Sequence, residues 1–119
     1  MADHDINWHI ENRVIFARPY GHHTLDSVQR FGNAITDFLD AGKMPIHLVI
    51  DDTDVQSAPR NLNKLLRTMA FAWHPFIGYV VMIGQPHSTQ RLLTDSLARI
   101  APIKCQRFVT LAQAMVFLL

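Results

Sequence analysis

The stretch HLVIDDTDVQSAPRNLNKLL, residues 47–66, runs from an apolar segment through three closely spaced acids into leucines at helical spacing. Its beginning belongs to PIHLVI (45–50), a compact apolar run whose length predicts a buried strand. Apolar residues then recur every three or four positions: Leu62, Leu65, Leu66, Met69 and Trp73. This spacing predicts a helix that Pro75 ends, because the residue before a proline disfavours helical backbone.

Upstream of this stretch, the sequence predicts a β-hairpin followed by a helix. INWHI (6–10) and VIFARPY (14–20) are rich in β-branched and aromatic residues, and the polar ENR between them has the length of a tight connection. From Thr24, the predicted N-cap, apolar residues gather on one helical face until Gly42 ends the helix.

Downstream, IGYVVMIG (77–84) has no polar face, which is typical of the middle strand of a parallel sheet. A helix is predicted from Ser88 to Pro102, followed by a short strand at CQRFV (105–109) and a last helix that the capping box Thr110–Gln113 begins. The order ββαβαβαβα predicts an α/β fold: one mixed, mostly parallel five-stranded sheet with about four helices, in a single domain over residues 1–119.

The amino-acid composition limits the expected location and partners of the protein. The only cysteine, Cys105, cannot form an intramolecular disulfide, so we expect a reducing, cytoplasmic location. We expect neither a signal peptide nor a membrane span, because the longest apolar run, FIGYVVMIG, is too short to cross a bilayer. Eleven basic and ten acidic residues give a net charge of +1, and no basic run or stripe stands out. Nucleic acid is therefore not an expected partner.

The segments resemble the STAS-like domains, specifically the SpoIIAA-like group related to anti-sigma-factor antagonists. The resemblance covers nearly the whole chain: the opening hairpin, LVIDD at the end of the third strand, YVVMIGQPHSTQRLL as the fourth strand and its helix, and RFVTLAQAMVFL as the closing strand and helix. It implies a bacterial domain that regulates or binds other proteins. The CRAL-TRIO lipid-transfer fold, to which one branch of the family is compared, implies a lipid-like ligand as an alternative.

In the family's antagonists, a partner kinase phosphorylates a serine in a helix-opening Asp-Ser-Ser/Thr-Gly motif. Here Asp51 aligns with the family's strand-end acid, but the motif position holds Pro59, Arg60 and Asn61, none of which carries a hydroxyl. The resemblance therefore implies that any partner switching by this domain does not use the family's usual phosphoserine.

A ligand or partner site is expected where loops 20–24, 51–58 and 84–88 meet, at the carboxyl edge of the parallel strands. The candidate residues on these loops, and just after the second of them, are Asp51, Asp52, Asp54, Ser57, Arg60, Asn61, His22, His23, His87 and Ser88.

Each group of candidates has two interpretations. The acids can bind Mg²⁺ together, or they can solvate a loop and favour the positive end of the next helix. Ser57 can accept a phosphate at a helix N-terminus, or it can simply serve as an N-cap or turn residue. The histidines can hold zinc or nickel, but they show no helical i, i+4 pair and no Cys/His array, so solvated side chains are expected instead. The sequence contains no catalytic set, metal motif or cofactor motif.

Three functional hypotheses follow. The first, which we expect, is a non-catalytic interaction or regulatory module that binds a protein partner or a second copy of itself through loop 51–61 and the neighbouring helix. The second is a carrier or sensor of a small apolar ligand, held between the sheet and the first two helices. The third is a small hydrolase or metal-binding enzyme that uses the acidic loop 51–54.

Overall fold

The computed structural model describes residues 3–84, 99 and 104–119. Five strands form its main sheet and lie side by side in chain order: β1 (His4–Ile10), β2 (Val14–Pro19), β4 (Ile46–Asp51), β6 (Ile77–Ile83) and β7 (Lys104–Phe108). β1 and β2 pair antiparallel, and β2, β4, β6 and β7 pair in parallel. The predicted mixed, mostly parallel α/β sheet is thus confirmed.

Two details of the sheet prediction are wrong. The middle strand is β4 rather than residues 77–84, because β7 pairs with the outer side of β6 and so places β6 fourth of five. There is also a second, two-stranded parallel sheet of β3 (Gly21–His22) and β5 (Val55–Ser57). Its strands come from segments that the sequence predicted as loops.

Three α-helices lie in the described part of the chain: α1 (Leu25–Ala41), α2 (Leu62–Arg67) and α3 (Leu111–Leu118). Thr24 and Thr110 cap α1 and α3 through capping boxes, which confirms Thr24 as the N-cap and the capping box that begins at Thr110. The helix predicted from Ser88 to Pro102 lies outside the described residues, apart from Arg99.

The predicted helix over residues 62–73 is interrupted. α2 ends at Arg67, and a separate 3₁₀ turn follows at Ala70–Trp73. The break occurs where Thr68 donates its hydroxyl proton to the Leu65 carbonyl at 2.6 Å and its own carbonyl lies against Gly32 of α1. Trp73, which the spacing placed on the buried face, is consequently 52% exposed.

Hydrophobic layers cover both faces of the main sheet. On one face, Ile35 and Leu39 of α1 are fully buried against Ile15 and Leu48. On the other face, Ala114 of α3 packs in a separate cluster with strand valines. Burial of this much apolar surface fixes the strands, and with them the loops at their ends. Among the described residues, no helix is both long and apolar enough to cross a membrane.

Candidate functional site

Two of the predicted site loops are joined at the carboxyl edge of the sheet. The amide of Gly21 donates to the Asp54 carbonyl at 3.0 Å, and the amide of His23 donates to the Ser57 carbonyl at 2.9 Å. These bonds belong to the β3–β5 pairing, which ties loop 20–24 to loop 51–58. The backbone of both segments is therefore fixed by the fold rather than free to rearrange.

Gly84 brings the end of β6 to the same edge. Its φ of +104° lies in the region that favours glycine, and a Cβ there would collide with the Thr53 hydroxyl. The close approach of these two loops thus requires a residue without a side chain. His87 and Ser88, the remaining candidates from this loop, lie outside the described residues.

The three acids of the stretch point to three different partners. Asp51 accepts a hydrogen bond from the Thr53 amide at 3.0 Å. Asp52 faces Arg107 of β7, whose two terminal nitrogens lie 3.3 and 3.4 Å from its carboxylate oxygens. Asp54 forms a 2.8 Å ion pair with Arg18 of β2. Their oxygens therefore do not converge on one point, as ligands of a hard cation must.

Asp52 is a buried carboxyl, with a side chain only 6% exposed. Burial raises its pKa above the usual 3.8, and although the Arg107 guanidinium lowers it, burial has the larger effect. The Nε of Arg107 is also buried and makes no hydrogen bond with the described residues. This ion pair joins the end of β4 to β7. Its burial is typical of a contact that stabilises the fold.

Arg18 contacts several residues on the exposed side of the sheet's carboxyl edge. It bridges Asp5 of β1 and Asp54 at 2.9 and 2.8 Å, and its guanidinium lies 4.9 Å from the centre of the Tyr20 ring. Arg18, Tyr20 and Asp54 line an open depression of about 560 Å³, together with Gly21. Hydrogen bonding to Asp5, the largest effect, raises the already high pKa of Arg18, so the residue stays charged.

The two adjacent histidines have different surroundings. Exposed His22 lies with its Nδ1 2.7 Å from the Ser57 hydroxyl. His23 is buried, and its Nδ1 lies 2.9 Å from the Ser27 hydroxyl inside the start of α1. Burial lowers the pKa of His23 and outweighs the opposing charge of Asp3. Across the described ranges, no three His, Cys, Asp or Glu residues form a group that could hold a metal ion.

The candidates on the helix side of the stretch are exposed. Ser57 belongs to β5, so its interpretation as a helix cap or as a residue at a helix N-terminus is wrong. Asn61 is the N-cap of α2 and accepts from the Lys64 amide at 3.0 Å. Arg60 precedes the cap and is exposed. Asn61 thus has a structural role, whereas Ser57 and Arg60 face solvent without one in helix capping.

The sequence prediction missed two cations of this edge, Arg18 and Arg107. Both lie inside predicted strands, and neither was among the predicted site residues. The sequence contained one indication of a cation at this edge. Asp52 follows an apolar strand, and a carboxylate buried there needs a nearby cation or hydrogen-bond donor. Its partner lies 55 positions away and could not be identified from local spacing.

Comparison with known proteins supports the fold. No protein-family model matches the chain, and no curated protein matches it significantly. Among solved structures, the chain is similar to an uncharacterized protein of the DUF3478 family from Shewanella loihica PV-4, which has a SpoIIAA-like fold. The TM-score is 0.69 at 17% identity, over 98% of this chain and 92% of that one. The protein therefore has a SpoIIAA-like fold, as its sequence segments indicated.

Proposed function

We propose that this protein is a non-catalytic interaction module that binds a protein partner through residues 51–61 and helix α2. The observation that carries the proposal is a rigid backbone with exposed side chains. The β3–β5 pairing and the Asn61 cap hold the segment, whereas Gln56, Ser57 and Arg60 face solvent. A preordered, exposed polar segment binds a partner with little further loss of conformational entropy.

The enzyme alternative has less support. Metal-assisted or carboxylate chemistry requires groups that converge on one reacting atom. Asp51, Asp52 and Asp54 instead bind a backbone amide, a buried arginine and a surface arginine. Among the candidates that the structure describes, the only close nucleophile–base arrangement is His22 with Ser57, and no carboxylate of the described residues hydrogen-bonds that histidine.

The apolar-carrier alternative also has less support. It places a ligand between the sheet and the first two helices. In the described residues that space is occupied by protein side chains: Ile15, Ile35, Leu39 and Leu48 are each 0% exposed and belong to one packed cluster. A lipid-like ligand would have to displace these side chains from the core. Each displaced side chain would cost about 2–5 kcal/mol of stability.

Site-specific photo-crosslinking tests the proposal. A benzophenone amino acid replaces Gln56 or the exposed Asn63 of α2, and in a control it replaces Glu11 in the turn between β1 and β2. The Glu11 turn lies at the opposite end of the sheet, because β2 runs away from it toward the site loops. In the cells that naturally make the protein, Gln56 and Asn63 are expected to yield one adduct of defined mass that Glu11 does not.

Two results would refute the proposed surface. The first is the absence of any protein adduct from either position at the surface. The second is the same set of adducts from all three positions, which would indicate random collisions rather than a defined interface. Both positions are exposed, so the replacements are expected to leave the fold intact.

A further inference from the structure

We infer that the partner contacts this module through an acidic segment, which docks on a basic face formed by Arg60, Lys64 and Arg67. This inference rests on the proposed function and adds the chemistry of the partner. Lys64 and Arg67 are three residues apart in α2, so they lie next to each other on one side of the helix. Arg60 directly precedes the N-cap of the same helix, and all three side chains are exposed.

No carboxylate in the described structure neutralises this basic face. None of its three cations forms an ion pair there, whereas Arg18 binds Asp5 and Asp54, and Arg30 binds Asp3. The face therefore presents uncompensated positive charge to solvent. Such a patch raises the rate and selectivity of association with a partner of opposite charge.

The charge of the chain is divided at this stretch. Residues 1–54 carry nine of the ten acidic and four of the eleven basic residues, which gives a net charge of −5. Residues 55–119 carry one acidic and seven basic residues, which gives +6. No acidic residue occurs from position 55 to 94, so α2 has no carboxylate of its own. The sequence showed no basic run because the cations are separated by two or three neutral residues.

An acidic protein segment fits this face better than nucleic acid does. Affinity for a phosphate backbone depends on the number of phosphates that basic side chains neutralise, and this face offers three cations. The nearby acidic stretch, with exposed Asp54, would repel a long polyanion. A short segment with carboxylates three or four residues apart on a helix matches the spacing of Lys64 and Arg67.

Fluorescence anisotropy with a labelled peptide tests the inference. The probe is a short helical peptide with glutamates at i, i+3 and i+4, and its counterpart has glutamine at those positions. The variant Arg60→Glu/Lys64→Glu/Arg67→Glu is compared with a control of equal charge change, Arg13→Glu/Lys43→Glu/Arg99→Glu, whose positions are also exposed. At low salt, the wild type and the control should bind the glutamate peptide, and the basic-face variant should bind at least about tenfold more weakly.

Four outcomes of the binding assay would overturn the inference. They are no binding by the wild type, equal losses in both triple variants, equal binding of the glutamine peptide, and preferential binding of single-stranded DNA of similar length. A wild-type homodimer that the basic-face variant dissociates would also overturn it, because the occupant would then be a second copy. Circular dichroism of the variants excludes unfolding as the cause of a loss.

The crosslinking experiment separates this inference from the proposed function. If Asn63 adducts form in the wild type and persist in the basic-face variant, the module has a partner but the acidic-segment inference fails. If no adduct forms while the glutamate peptide still binds through α2, the basic face is an anion-binding surface and the proposed function fails.

Discussion

Replacing Arg107 by Met is expected to destabilise the fold near neutral pH and much less in acid. In the wild type, the guanidinium faces the carboxylate of Asp52, whose side chain is 6% exposed, while that of Arg107 is 16% exposed. Met keeps most of the aliphatic length but removes the charge. The buried Asp52 carboxylate then loses its cation, and a charge in a poorly solvated site is costly.

The geometry sets the size of the loss. Breaking a well-formed buried ion pair by removing one partner costs about 3–5 kcal/mol. Here the nitrogen–oxygen distances of 3.3 and 3.4 Å are longer than is usual for strong charge-assisted bonds, and Arg107 keeps some contact with solvent. We therefore expect about 2–3 kcal/mol at pH 7, a substantial part of the total stability of a domain of this size.

The pH dependence follows from the pKa of Asp52. Burial raises this pKa in the folded protein above 3.8, so the folded state binds the proton more readily than the unfolded chain. The contribution of Asp52 to stability is therefore fully present below pH 3.8 and is lost as the pH rises through the raised pKa. Without Arg107 the pKa rises further. Once the pH falls below the wild-type value, Asp52 is neutral in both proteins and the difference between them shrinks.

Urea denaturation followed by tryptophan fluorescence measures the effect, since Trp8 is half-buried on β1. Measurements at pH 7 and below pH 3.8, where the contribution of Asp52 is fully present, give the two values to compare. Arg18→Met is the matched control, because it removes an arginine from an exposed pair and should produce a smaller, salt-sensitive change. A loss for Arg107→Met that is the same at both pH values would refute the reasoning, because it would come from packing rather than from charge.

Three further predictions concern packing, capping and a buried histidine. Gly32→Ala would place a Cβ 2.5 Å from the Thr68 carbonyl oxygen and should cost about 1–3 kcal/mol in urea denaturation, with an unchanged stability contradicting the close packing of α1 on α2. Thr110→Ala should cost about 1 kcal/mol, and Thr110→Ser should restore most of it if the hydroxyl cap is the cause. Because burial lowers the pKa of His23, the unfolded chain binds its proton more readily, and stability should fall as the pH drops below 6.5. His23→Gln should reduce that slope, and a slope equal to that of the wild type would assign it to other groups.

The predictions were correct for those elements that depend on residues close together in the chain. The hairpin, α1 and its Thr24 cap, and the capping box at Thr110 each depend on residues within a few positions of one another. In these segments the residues that are apolar at the period of a strand or helix are also the ones that the fold buries. Local pattern and tertiary packing therefore favour the same secondary structure.

The errors come from contacts between distant parts of the chain. α2 ends early where Thr68 meets Gly32, which is 36 positions earlier. β3 and β5 form because two loops at the same edge pair their backbones, which no period in either segment indicates. Helical spacing shows which residues can share a face, but it does not show where tertiary packing interrupts the helix.

The same limitation explains why the site prediction included all three acids of the stretch but only one of its cations, Arg60. Asp51, Asp52 and Asp54 are close in sequence and were therefore predicted as a group. In the structure, each of them contacts a different partner. The basic face formed by Arg60, Lys64 and Arg67 is dispersed in sequence. The helix brings Lys64 and Arg67 together, and Arg60 directly precedes its N-cap. Since the acids are engaged in contacts within the fold and these cations have no acidic partner among the described residues, the cations are the charges at this edge that remain available to a binding partner.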